Sequence, residues 1–320
     1  MKSISYIWVL FACLLLTSCY EDDMIVPDEF GGSGRFEFPQ GTNSWDEEIG
    51  EIYNDYGVRL IYKDIVNEDF DRDWIGGSGG GGGGGFGTMT YHMKDCINNE
   101  MIQFYVRFMR EHILNFTSPQ IREKVLPMYW YLTFDFHNLY AIPAFNYYSY
   151  TAMTNQGDMK LMDFWVTCFW GQTVNADADP LTAWSSPTSG NKTNYDVQRF
   201  TIMNKIIKIA IERGNIVTPD EFSSGFDFST PLITGETAEN KADPNYYLTR
   251  GYAGSASIVG GAIYYNKPSS RPIAANNLFQ DYLTLAIGFT AAQREEMFPA
   301  ATYPLLKQKF DYVQNFMKQR

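Results

Sequence analysis

The feature that most constrains this chain is the stretch from Asn194 to Arg213. There Val197, Phe200, Ile202, Met203, Ile206, Ile207, Ala210 and Ile211 spread around too much of a helical repeat for a surface helix. Such a helix has to be enclosed, so the rest of the chain must wrap it, and Gly214 stands where a C-cap glycine ends it. The wrapping material is present, since 45% of the 320 residues are hydrophobic and 16% aromatic, enough for a full core. The 37 acidic against 25 basic side chains, a net charge of −12, have the wrong sign for phosphate backbones and argue against nucleic acid as a partner. Four cysteines and three histidines are too few for a disulfide framework or a ligand-rich metal cluster.

Upstream, an amphipathic segment begins near Trp45 and runs through Ile49, Ile52 and Tyr53, and Tyr56 to Lys63 alternates as a strand. Glycine from Gly76 to Gly85, broken only by Ser78 and followed by Phe86-Gly87, meets a Gly-x-Gly-x-x-Gly pattern trivially. No Lys-Ser/Thr follows it, so residues 76–87 read as a surface loop rather than a phosphate cradle. Met93, Ile97, Met101, Phe104, Tyr105, Phe108 and Met109 predict one long helix from Thr90 to Asn115. Ser118-Pro119 opens a short helix that Pro127 stops. Tyr129 to Phe136 and Phe145 to Thr151 read as aromatic strands, the first with Trp130, Leu132, Phe134 and Phe136 on a buried face and Tyr129, Tyr131, Thr133 and Asp135 on an exposed one. Asp158 to Trp170 fits helix or strand, and Asn175 to Asn194 reads as a long loop.

The back half reads as helical. Thr218-Pro219-Asp220-Glu221 has the form of a capping box, Ala274 to Ile287 is a helix, Thr290 to Gln293 caps another, and a last one runs from Pro304 to the end. The expected class is α+β, with a mixed sheet and helices in the N-terminal half and a mainly helical C-terminal half.

The leader carries Lys2 and an apolar stretch from Ile4 to Leu16, shorter than the roughly 20 residues that span a bilayer. It reads as a signal peptide over 1–18. Leu16-Thr17-Ser18-Cys19 resembles a bacterial lipobox, which makes Cys19 the lipidated residue; the alternative is an ordinary cleaved signal with a chance cysteine. Glu21, Asp22 and Asp23 resemble the surface-export signal of Bacteroidetes lipoproteins, implying a lipid anchor in the outer membrane and exposure at the cell surface. Residues 19–44 read as an acidic flexible tether and 45–320 as a single domain. Cys96 and Cys168 then remain, as one disulfide or as two buried thiols.

Lipobox and acidic tether occur here with Tyr53-Asn54-Asp55-Tyr56-Gly57-Val58-Arg59, an isolated apolar helix followed by Pro219-Asp220-Glu221-Phe222, and Tyr303-Pro304-Leu305-Leu306-Lys307-Gln308-Lys309-Phe310. Together they resemble the Bacteroidetes family of zinc-binding metallohydrolase lipoproteins that accompany SusC/SusD-type nutrient importers. The resemblance implies a zincin-like plan and a His-Glu-x-x-His helix holding zinc. This chain departs from it. Aligned on the Pro-x-Glu-Phe segment, that motif falls at Asn204-Lys205-Ile206-Ile207-Lys208, and the family's later Glu-Asp-Phe-Ala-Glu falls at Gln280-Asp281-Tyr282-Leu283-Thr284, where only the aspartate is kept. A charged lysine offers no lone pair to a metal and cannot act as the water-activating base, so zinc, though implied for the family, is not supported here and no catalytic residue is assigned.

Asn204, Lys205 and Lys208 are then either the polar edge of an apolar helix or the remnant of a cleft in which Lys205 and Lys208 bind an anionic group such as a peptide carboxylate. The tryptophans and tyrosines read as core before they read as a sugar-stacking face. Asp135 and His137 form a remote candidate acid/base or metal pair. The expected function is a catalytically degenerate surface lipoprotein that assists glycan or peptide binding or import with a SusC/SusD-type system. The alternatives are a working zinc enzyme with ligands elsewhere and a purely structural scaffold.

Overall fold

A computed structural model describes residues 35–66, 69, 88–142, 147–152, 164–170 and 194–318. The leader with Cys19, the tether as far as residue 34, the glycine run and the loop expected from 175 to 193 lie outside them. The chain divides into two compact units, one ending at Gly41 and one beginning at Thr42. In the first, the Arg35 guanidinium lies 4.5 Å over the Phe36 ring.

The second unit opens with α1 (Ser44–Tyr56), where Asn43 and Asp46 form a capping box and Trp45, Ile49 and Ile52 turn to the core. Gly57, at φ 72°, ends it. The helix takes Tyr56, so the strand expected from Tyr56 shrinks to β1 (Arg59–Ile61).

The long helix expected from Thr90 to Asn115 is a correction. Residues Thr88–Lys94 are a strand, β2, and the helix α2 begins only at Asn99, capped by the Asn98 side chain, and ends at Phe108. Met93 fits helical spacing, but Thr88, Thr90 and Tyr91 are strand formers, and pairing with a neighbouring strand decides the matter. A π turn over Met109–Ile113 and a 3-10 turn over Leu114–Phe116 continue α2. Helix α3 (Pro119–Arg122) follows with Ser118 as its cap, as expected.

The sheet is organised by β3 (Tyr129–Ile142), a strand of 14 residues. Its first half pairs in parallel with β1 and with β5 (Phe164–Trp170), so the helix-or-strand segment is a strand. Its second half pairs antiparallel with β2 and with β4 (Tyr147–Ala152). The changeover falls at Asp135, whose φ is 53°, where the registers with β2 and β5 both shift.

The expected exposed face of β3 is a second correction. Tyr131 and Thr133 are as fully buried as Trp130 and Leu132. A strand flanked by parallel neighbours is covered on both faces, so its alternation does not mark a wet side. Several of the buried polar groups are paired within the core: Trp130 Nε1 donates to Thr167 Oγ1 at 2.9 Å, and the Tyr105 hydroxyl donates to the Thr133 carbonyl at 2.6 Å while accepting from Phe169 N–H at 2.9 Å. Cys96 and Cys168 are unlinked thiols, bonded to the carbonyls of Leu132 and Trp170.

The enclosed helix is α4 (Asn194–Glu212), with Phe200, Ile202, Met203, Ile206, Ile207 and Ala210 buried as anticipated and Gly214 at φ 76° behind it. Helix α5 (Asp220–Ser223) lacks the expected capping box: Pro219 is itself the N-cap, and no side chain caps it. After α6 (Ala238–Ala242) comes a hairpin that the reading of a mainly helical half does not include, β6 (Ser255–Val259) and β7 (Ala262–Asn266). Gly260 and Gly261 turn it with φ of 58° and 78°, values that suit a two-residue turn of the primed type. Helices α7 (Ala275–Gly288), α8 (Ala291–Met297, with Thr290 and Gln293 in the expected box) and α9 (Pro304–Lys318) complete an α+β fold. No helix among the described residues is long and apolar enough to cross a membrane.

The Tyr105 hydroxyl ties α2 to two strands at once, so Tyr105→Phe leaves a buried carbonyl and a buried N–H short of a partner. It is expected to lower unfolding stability by about 1–3 kcal/mol, read as a lower urea midpoint with unchanged slope.

Candidate functional site

The segments expected to align with the two motifs lie on α4 and α7, which pack against each other. Asn204, Lys205, Gln280, Asp281 and Thr284 are half-buried and Lys208 is exposed. Thr284 is used structurally: its hydroxyl donates to the Asp281 carbonyl at 2.8 Å and accepts from Ala256 N–H at 2.9 Å, fastening β6 to α7. The Asp281 carboxylate has no hydrogen-bond or ion-pair partner among the described residues, and burial alone pushes it up to about 6.

Zinc does not fit this arrangement. Neither α4 nor α7 carries a histidine, and the groups at the motif positions of α4 are an amide and two ammonium groups. Elsewhere, His92 and His137 face each other across β2 and β3 with ring centres 5.4 Å apart. His112 sits in the π turn between Phe108 and Tyr195, and burial, with Arg199 second, lowers its pKa. No three His, Cys, Asp or Glu side chains converge among the described residues. The Asp135–His137 pair is not an acid/base arrangement either. His137 Nδ1 lies 3.0 Å from the backbone carbonyl of Asp135, while the carboxylate is 3.5 Å from Lys94 Nζ.

A different group of residues forms a cup in the second half of the chain. Its volume is about 380 Å³, and its lining includes Glu236, Lys241, Tyr246, Tyr247, Tyr265 and Tyr303. The segments come together through local rules. Ile233 N–H donates to Asn245 O at 2.9 Å and Tyr247 N–H to Ile233 O at 3.0 Å, which sets the double tyrosine beside Glu236. Thr237 caps α6, whose Lys241 reaches back to Glu236. Thr302 and Tyr303 N–H groups both donate to Pro299 O, which folds the wall after α8.

Glu236 sits at the centre of the polar contacts. Tyr246 OH donates to Oε2 at 3.0 Å and Tyr247 OH to Oε1 at 3.2 Å, while Lys267 is 3.2 Å from Oε1 and Lys241 3.3 Å from Oε2. Partial burial raises its pKa, but the bonds from Lys267, Tyr246 and Lys241 outweigh this and hold it at about 2. Burial and the adjoining hydroxyls and carboxylate push Tyr246 and Tyr247 upward, so both remain proton donors. The lysine stem of Lys267 lies with its ammonium 5.8 Å from the Tyr247 ring centre.

Of these cup residues only Tyr303 lies in a segment that the sequence marks, the closing Tyr303–Phe310 run. The available signal was two tyrosine pairs, Tyr246-Tyr247 and Tyr264-Tyr265, in segments without helical periodicity, together with Gly260-Gly261 between strand formers. No protein-family model, curated protein or solved structure matches this chain.

Asp281 yields a test with a defined sign. Its folded pKa of about 6 lies above the ordinary carboxylate value, so the folded state binds the extra proton, and stability falls as pH rises from about 4 to 6. Asp281→Asn removes that penalty. It is expected to stabilise by about 1–2 kcal/mol at pH 8, allowing for screening at a partly open site, with the gain vanishing near pH 4 in pH-dependent urea unfolding.

Proposed function

We propose that this chain is a surface-exposed outer-membrane lipoprotein, anchored through Cys19, that binds a nutrient for a SusC/SusD-type importer rather than cleaving it. The Glu236 cup carries the proposal. It presents aromatic rings with hydrogen-bonding tips in a concavity whose size is within the range of small-ligand sites, about 300–1,000 Å³. Such a surface holds a saccharide ring, or an apolar side chain of a peptide, by stacking, while hydroxyls and an ammonium select its polar groups.

The replaced motif positions on α4 and the unsupported zinc site favour binding over hydrolysis on a retained metallopeptidase-like plan. Glu236 supports the cup by positioning Tyr246 and Tyr247 and by keeping two lysines close to the surface, not by exchanging protons, because its carboxylate stays ionised at neutral pH.

The test uses the full chain extracted in detergent, screened against soluble glycans and peptides by calorimetry, with co-purifying proteins identified from the same extract. A bound glycan or peptide is expected, and Tyr303→Ala, checked for an unchanged unfolding midpoint, should weaken it at least about tenfold by removing a stacking wall. A SusC/SusD-type pair should accompany the protein in stoichiometric amount. An extract that binds neither ligand class and purifies alone would overturn the proposal.

A further inference from the structure

Resting on that reading, the hydrogen-bond inventory of the cup narrows the ligand. The four donors around Glu236 occupy both carboxylate oxygens, leaving it little capacity to accept from a ligand. The unspent groups are of the opposite kind. Lys241 Nζ has one partner, Glu236, for its three N–H bonds, and its side chain is 49% exposed. The Thr302 and Tyr303 side-chain hydroxyls have no protein partner among the described residues. Lys267, behind Glu236, is by contrast engaged by Thr234 O, Glu236 and the Tyr247 ring.

Charge points the same way. Glu236 is flanked by two ammonium groups, Lys241 in the lining and Lys267 outside it, so its charge is answered by its own contacts. The lining also supplies apolar surface beside the Lys241 ammonium, from Met297, Pro299 and Tyr303.

From this juxtaposition we infer that the cup takes an acidic saccharide, with the carboxylate of a uronic-acid unit paired to Lys241 and its ring face lying against Met297, Pro299 and Tyr303. A saccharide is favoured over a peptide because the free polar groups are side-chain hydroxyls and an ammonium. These suit a ring bearing hydroxyls and one carboxylate.

The experiment titrates the detergent-solubilised full chain with trigalacturonate, with a neutral galactose trisaccharide and with an aromatic tripeptide ending in a free carboxylate. Trigalacturonate is expected to bind at least about tenfold more tightly than either, with the advantage shrinking as salt rises. Lys241→Gln should erase the preference by bringing trigalacturonate affinity down to that of the neutral trisaccharide, and Lys241→Arg should keep it. Neutral and acidic trisaccharides bound equally, or a preference that survives Lys241→Gln, would overturn this inference and leave nutrient binding standing. Tightest binding of the tripeptide would replace the saccharide with a peptide ligand, and no binding of any of the three probes would overturn this inference, the nutrient-binding reading being decided by the wider screen and the co-purifying proteins.

Discussion

Strand β3 is the constraint on which the N-terminal half depends. It has neighbours along both edges and is buried on both faces through its first half, so its backbone groups there have to be answered from inside the protein. Thr167 answers Trp130, and Tyr105 answers the Thr133 carbonyl and the Phe169 N–H. The change from parallel to antiparallel partners is absorbed at Asp135. Its left-handed backbone is uncommon for a residue with a side chain, though aspartate tolerates it better than most. Lys94, on the strand alongside, stands 3.5 Å from the Asp135 carboxylate.

The helical half solves the same accounting problem with charge. The C-terminal end of α7 carries no basic residue in its last turn, yet its carbonyls are met by two arginines from other helices. Arg199 donates to Ile287 O, and Arg294 donates to Ala286 O and Phe289 O. Burial, with Arg199 adding to it, lowers Arg294 to about 10, but it stays charged at neutral pH, where the helix dipole and the Phe310 ring favour a cation. Lys309 does the same for α5, bonding to the carbonyls of Phe222 and Ser224. Charges committed to backbone carbonyls are not available to ligands, unlike Lys241, whose one partner is the Glu236 carboxylate.

Legibility in the sequence followed how local the deciding force was. Helix α4 was readable because its apolar content exceeds what any exposed helix tolerates, and α3 and α8 were readable because Ser118 and Thr290 cap backbone three residues on. The start of α2 was misread because Met93 and Ile97 match helical spacing, while the pairing of β2 with β3 is made with residues about 45 positions away. The hairpin was missed although Gly260-Gly261 between strand formers announces one, since the surrounding helices set the expectation. Of the motif positions, the structure brings α4 and α7 together, yet it uses Thr284 to hold β6, and apart from Tyr303 the cup lies in residues that no motif marked.

By itself the sequence determined what depends on neighbours within a few residues: the enclosed helix, the caps, the aromatic strands and the unsuitability of lysine as a metal ligand. Side-chain periodicity and donor chemistry are properties of short stretches and survive any tertiary arrangement. Only the tertiary structure decided that both faces of β3 are buried, that Cys96 and Cys168 stay apart, and that Glu236, Lys241, Tyr265 and Tyr303 share one cup. Those outcomes turn on contacts across tens of residues, where burial and the pairing of buried polar groups outweigh local preference.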